Sequence, residues 1–520
     1  MSGVQQGNAS GRQLLRNVFT SYVDFAVALV LSLLFTRIAL RHLGPATFGL
    51  WGVLMAIVGY LYLLDAGVST TVVTRVANCL ARDDHDELAD VVGTAGVFFV
   101  VSGAVAVALT GLLVPFIGSL LRVSSATSSA RIALVALGVM TGTSFVGLRA
   151  KSALFGSGRG DWISMVGIAT SLATRGAQIA VLLLGGGLVG LALVTAVGAV
   201  VGVSWTTVVA RRLPRRRAWK WFGGFSATTM RQLLRAGGKN ALIAVSGTVS
   251  YGLDTLIIGL ILPIRQVAPY SVAMSTASFT RNLSSYGTNQ LFPAYAHAHA
   301  LDDDERQFEM FSHAVLGSMA ITIPLATALV GFGQPVLHLW LGTVPPRTFD
   351  VAVALNVVFA FQLPGHQSFV YLTGVGRTTL LVRLALVATV VNLAGTIIAT
   401  RYLGPVGPAI GSLPQVVVVD FAILPAVVCR SLHVPVRRYL REAMAPLALV
   451  ALVAVAAAVA FRGLVPGGSM PAAVGKGAGV VVVSWAVLAA TLWRTDGVFR
   501  ERAQALLRLA AQRAQALRRR

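Results

Sequence analysis

Six small polar residues, Ser271, Ser275, Ser278, Asn282, Ser285 and Asn289, recur at spacings of four, three, four, three and four. That spacing stacks them on one face of a helix, with Arg281 beside the stripe. Such a face lines water or another polar surface, or it bonds to a neighbouring helix, since Ser and Asn also join helices inside membranes. Six stacked positions and an arginine exceed what packing alone requires. A second group, Ser164, Ser171, Thr174, Arg175 and Gln178, converges more loosely on one side of another segment. A guanidinium stays charged at physiological pH and offers a planar fork of donors to phosphate oxygens, so Arg175 and Arg281 together suit a diphosphate. They suit equally well the neutralisation of buried carboxylates such as Asp24 or Asp254.

Asp24, Asp254 and Asp420 fall within apolar segments, where desolvation raises a carboxylate pKa and a neighbouring arginine lowers it. A group poised in that way takes up a proton in one conformation and releases it in another, which is the chemistry of ion coupling. Structural salt bridging is the alternative role. His366 beside Gln367 could extend a relay or serve as a hydrogen-bonded packing residue. No phosphate-binding GxxxxGK[ST] loop and no HExxH helix occurs, and the two cysteines, Cys79 and Cys429, form no metal or disulfide framework. The residues therefore offer no catalytic group, no metal site and no cofactor site. The acidic runs Asp83–Glu87 and Asp302–Glu305 read as solvated surface, or as locks against nearby arginines.

The elements that position these groups follow from composition. Hydrophobic residues make up 56% of the 520 residues and charged residues 12%, and the mean hydropathy is +0.76. A chain of this kind is a polytopic membrane protein. Apolar runs of about 20 residues, each long enough to cross the hydrocarbon core, follow one another about fourteen times. The external connectors are too short for a soluble catalytic domain. The net charge of +23 would suggest nucleic acid in a soluble chain, but most of the basic residues fall in connectors on the side of the N-terminus. That bias predicts both termini in the cytoplasm. The largest basic block, from Arg211 to Lys239, reads as a linker anchored on anionic lipid headgroups rather than a nucleic-acid site. The first span reads as an uncleaved anchor. Residues 499–520 space apolar side chains along one face among arginines, as in a helix lying on the membrane surface.

The chain also repeats itself. Leu43–Trp51 aligns with Leu262–Tyr270 at an offset of 219 residues, and the same offset carries Ala81-Arg82-Asp83-Asp84 onto Ala300-Leu301-Asp302-Asp303. Gly158-Arg159 recurs as Gly376-Arg377, 218 residues on. Two matches at nearly one offset point to an internal duplication, a common plan for transporters. The copies diverge at polar positions, Asp65 aligning with Ser284 and Arg75 with Ala294. The expected organisation is an N-terminal lobe over 1–210, a basic linker over 211–237, a C-terminal lobe over 238–430, two further spans over 431–493 and a basic tail over 494–520.

Leu43–Ala77, LGPATFGLWGVLMAIVGYLYLLDAGVSTTVVTRVA, resembles the N-terminal signature of the bacterial polysaccharide transporter family, the flippases for lipid-linked oligosaccharides. LTGVGRTTLL from Leu372, Asn392 in VNLAGTIIATRYLG, and Gly404-Pro405-Val406-Gly407 are similar to that family's later segments. The resemblance covers nearly the whole chain, and its motifs are diffuse. It implies an all-α transporter related to multidrug and toxin exporters and to the lipid II flippase, with two pseudo-symmetric lobes around a central cavity. It implies a substrate too: an undecaprenyl-diphosphate-linked sugar unit carried across the bacterial inner membrane by alternating access, in company with other polysaccharide-assembly proteins. The family's cavity arginines do not map position by position onto Arg175 and Arg281, which rest on the residues alone. A cation-exporting drug antiporter of the same fold is the nearest alternative. A membrane glycosyltransferase or polymerase is a further one, although it would need an acidic external loop.

Overall fold

The computed structural model describes the backbone of residues 2–120, 127–212, 225–285, 291, 295, 298–299, 301–464 and 470–495. Among these residues there are helices and turns and no strand, as expected where each segment must satisfy its own backbone inside lipid. The first helix, α1 (Ser2–Leu61), holds the first two expected spans and is broken at Gly44, where φ is 73° and ψ is 166°. Pro45 restarts it, since a proline ring fits the first turn of a helix. Then come α2 (Val68–Arg82), α3 (His85–Leu113), the short α4 (Ile117–Leu120), α5 (Thr127–Gly156), α6 (Gly160–Leu183), α7 (Gly187–Ala210), α8 (Ala227–Ile261) and α9 (Val267–Ser285).

The later part of the chain supplies α10 (Asp304–Leu341), α11 (Thr348–Gly374), α12 (Thr378–Leu403) and α13 (Gly407–Gln415). A π-helical stretch, Val416–Ile423, carries α13 into α14 (Leu424–Ser431), and α15 (Val436–Tyr439), α16 (Ala445–Leu464) and α17 (Met470–Thr495) follow. Among the described residues ten helical stretches are long and apolar enough to cross a bilayer. Two of these, Ala26–Asp65 and Thr379–Ser431, have the length of two crossings each. With α8 and α9 they account for the spans read from the sequence.

Contacts divide the chain into two compact units. The first comprises Met1–Ser275, Thr343–Val351 and Thr378–Pro414. In it α5 packs along α3 and α7, α6 along α1 and α7, and α12 along α8. Gly395 of α12 and Gly411 of α13 meet so closely that a Cβ on Gly395 would lie 2.2 Å from the Gly411 carbonyl oxygen. The second unit comprises Thr276–Gly342, Ala352–Arg377 and Gln415–Arg520. Its α10 packs along α16 and α17 around Phe332, Ala454, Ala473 and Val480.

The duplication read from the sequence has a counterpart in local geometry. Asp83 and Asp302 both take left-handed φ values, 59° and 52°. The next residue in each copy caps a helix: Asp84 accepts from the Glu87 amide at 2.9 Å and Asp303 from the Arg306 amide at 3.0 Å. Gly158 and Gly376 have φ of 73° and 76°. After them the Arg159 and Arg377 amides donate to the Leu154 and Leu372 carbonyls, both at 2.9 Å. This is the Schellman close of a helix, in which a left-handed residue lets the chain reverse and satisfy the last carbonyls. The core of the basic linker (213–224), the tail helix over 499–520, Asn289 and the side chain of Asp24 lie outside the described residues.

Candidate functional site

Arg175 and Gln178 stand one turn apart on α6 and are joined, Arg175 Nη1 donating to Gln178 Oε1 at 3.0 Å. Gln178 Nε2 donates to Thr195 Oγ1 on α7 at 2.8 Å, and that hydroxyl donates to the Leu191 carbonyl at 2.6 Å. The guanidinium also lies over the Phe35 ring, 4.5 Å from its centre. Its orientation is thereby set while most of its five N–H donors stay available. Arg175, Gln178, Ser171 and Thr174 line a groove of about 410 Å³ between α5, α6 and α7. Gly198 on α7 permits the close approach, since a Cβ there would come within 2.3 Å of Thr174 Oγ1.

The neighbouring helices add groove residues that the sequence analysis missed: Ser144 and Lys151 from α5, Thr195 and Thr206 from α7. Ser144 and Lys151 stand seven residues apart and Thr195 and Thr206 eleven, so each pair shares a face of its helix, but two polar positions among apolar ones make a sparse signal. Among the described residues lining the groove there is no carboxylate. Ser164, grouped with these residues by spacing, is buried and outside the groove.

The polar stripe of α9 is mixed in role. Ser278, Arg281 and Asn282 are half-buried, and the Arg281 guanidinium lies 5.1 Å from the centre of the Phe359 ring on α11. Ser275 donates to the Ser271 carbonyl at 3.1 Å. Ser271 Oγ is buried against α1, where a Cβ on Gly52 would come within 2.7 Å of it. The helix-joining serine is Ser284, which the stripe did not include: it is buried, donates to the Thr280 carbonyl and bonds to Thr322 of α10. Arg175 belongs to the first unit and Arg281 to the second.

Asp254 is buried and accepts a hydrogen bond from the Tyr270 hydroxyl of α9. The Tyr60 hydroxyl donates nearby, to the Gly252 carbonyl. Among the described residues Asp254 pairs with no arginine. Asp420 sits on the π-helical stretch, accepts from Gln415 Nε2 at 2.6 Å, and abuts Gly365 of α11, where a Cβ would lie 2.5 Å from its own. His366 follows in α11, and its Nε2 is buried without a hydrogen-bond partner. Asp65 receives both the amide and the hydroxyl of Ser69, at 3.1 and 2.7 Å, and so closes the first turn of α2.

The acidic runs act as caps and ion pairs within their own units. Glu87 takes Arg75 at 2.7 Å and Arg82 at 2.8 Å, while Glu305 receives two bonds from Arg438. Cys79 and Cys429 are buried free thiols. Burial, and then the neighbouring Glu87 carboxylate, push the Cys79 thiol above its usual pKa.

A family profile of polysaccharide biosynthesis proteins matches residues 38–344. No curated protein matches the chain. Among solved structures, the lipid II flippase MurJ in an inward closed conformation superposes with a TM-score of 0.71, at 11% identity over 92% of this chain and 98% of its own. An inward-facing multidrug resistance MATE family transporter of the MOP superfamily gives 0.64, at 17% identity over 79% and 98%. An outward-facing transporter of that description gives 0.58, at 17% identity over 82% and 97%. At such identities the likeness is one of fold, and that fold is all-helical. With more than half of its length matched by the family profile, the chain, a multi-pass membrane protein, belongs to the polysaccharide biosynthesis protein family.

Proposed function

We propose that this protein is a flippase: it carries an undecaprenyl-diphosphate-linked oligosaccharide, the repeat unit of a surface polysaccharide, across the bacterial inner membrane by alternating access. In this reading both termini are cytoplasmic, the sequence copies in 1–210 and 238–430 form pseudo-symmetric lobes, anionic lipids anchor the basic linker, and the protein transports without catalysing a reaction. The observation that carries it is the groove of α5, α6 and α7, where Arg175 is oriented by Gln178 and Phe35 with no carboxylate among the described residues of the lining. A cation at membrane depth without a counter-ion costs several kcal/mol, so the site is made to receive an anion. The free side of a guanidinium matches two phosphate oxygens at once. A cation antiporter of the same fold would want the opposite, an acidic groove.

Reconstituted protein is expected to move a fluorescent polyprenyl-diphosphate oligosaccharide across vesicles. Arg175→Ala should slow that movement at least tenfold, the worth of one or two charge-assisted hydrogen bonds at about 1.5–3 kcal/mol each. Arg281→Ala tests the α9 stripe in the same assay. Export of cationic dyes with no glycolipid movement would establish the antiporter instead.

A further inference from the structure

The groove of α5, α6 and α7 holds a second cation, and its spacing from Arg175 carries information about the ligand. Lys151 lines the groove from α5, and among the described residues it makes no hydrogen bond or ion pair. α5 and α6 form a hairpin closed at Gly156–Gly160, which sets Lys151 level with the stretch Ile163–Gly167 of α6. Arg175 lies about 10 residues further along, or roughly 15 Å at 1.5 Å per residue. Arg175 Nη1 is held toward Gln178, one turn further from Lys151, so a diphosphate on the guanidinium leaves Lys151 unmet.

The wall between the two cations has its own polarity. The hydroxyls of Ser144, Thr170, Thr195 and Thr206 all donate to carbonyls four residues back, at 2.8, 2.7, 2.6 and 2.8 Å. A hydroxyl has one hydrogen and two lone pairs, so these four keep acceptors and no hydrogen for the groove, Thr195 with one lone pair already taken by Gln178. They fit a ligand rich in O–H donors, which a sugar is. A donor-rich segment flanked by two negative charges matches these four hydroxyls and the two cations. Lys151 is exposed along the groove, where a second negative charge on the ligand would reach it.

Resting on the flippase reading above, we infer that the groove selects an acidic glycan: the diphosphate on Arg175, sugar hydroxyls along the Ser/Thr wall, and a sugar carboxylate on Lys151. The competing explanation is that Lys151, five residues from the end of α5, reaches out to lipid headgroups as long basic side chains do. The experiment compares two fluorescent polyprenyl-diphosphate trisaccharides in proteoliposomes, one ending in glucuronate and one in glucose. Wild type is expected to move the glucuronate compound about tenfold faster, the effect of one charge-assisted contact. Lys151→Gln should bring that ratio close to one, and Lys151→Arg should keep it. Equal rates in wild type, or a ratio unchanged by Lys151→Gln, overturn the inference and leave the flippase reading standing. Movement of neither compound removes the flippase reading itself.

Discussion

At Asp254 and Tyr270 a carboxylate and a phenol are buried together, and each depends on the other. Spacing along the chain had offered Asp254 an arginine as partner, because any cation in an apolar segment is a candidate. The structure gives it Tyr270, sixteen residues on, across the α8–α9 hairpin, a pairing no helical period announces. The same limit explains Lys151 and Thr195, whereas Arg175 with Gln178 was legible because both lie one turn apart on α6. Tyr270→Phe removes the donor and leaves a buried acceptor unmet, so unfolding in detergent should come about 1–3 kcal/mol more easily. Asp254→Asn keeps the shape and an acceptor oxygen but cannot ionise. If Asp254 couples transport to an ion gradient, this variant should still translocate, and the acceleration given by an imposed gradient should vanish. Acceleration as large as that of wild type would assign Asp254 to packing alone.

The helices themselves were largely legible, since each span is an apolar run of the required length. α2 was not. It follows the second span directly and its Val68, Val72, Val76 and Cys79 continue the apolar pattern, yet it is a separate amphipathic helix buried against α3 and α5. The signal was its polar positions: Ser69 closes the first turn through Asp65, and Arg75 joins Glu87 of α3 to Gln232 of α8. Arg75→Ala loses both bonds and should loosen α2. An ion pair this exposed contributes about 1 kcal/mol or less, so the consequence is local opening and not unfolding. Cys79, inert while buried and with its thiol pKa raised, should then be alkylated several-fold faster, read by mass spectrometry of the labelled peptide. A contact made by backbones leaves less room for adjustment: Gly395→Ala would drive α12 off α13 at the Gly411 carbonyl. A loss of about 1–3 kcal/mol, seen as a lower melting temperature in detergent, is expected.

Across the whole chain the duplication is written more clearly in backbone geometry than in side chains. Few identities survive at an offset of 219 residues, but the left-handed Asp83 and Asp302, their capping successors and the Gly158 and Gly376 turns recur. The polar residues differ between the copies, Asp65 aligning with Ser284 and Arg75 with Ala294. Arg175 and Arg281 therefore belong to no repeated position, and a site built on them had to be argued residue by residue. If the turns are equivalent, equal substitutions should cost equally. A Cβ on Gly158 or Gly376 would meet no atom within 4 Å, so the penalty of Gly→Ala comes only from φ values of 73° and 76°. That penalty is about 1–2 kcal/mol for a residue with a Cβ. Gly317, equally open but with no positive φ inside α10, serves as control, and Gly317→Ala should be neutral or slightly stabilising. Thermal denaturation of the three variants should thus give two matched losses and one absence of loss. Losses at Gly158 and Gly376 that differ by the full penalty would show that the two turns, alike in geometry, are not equivalent in what they support.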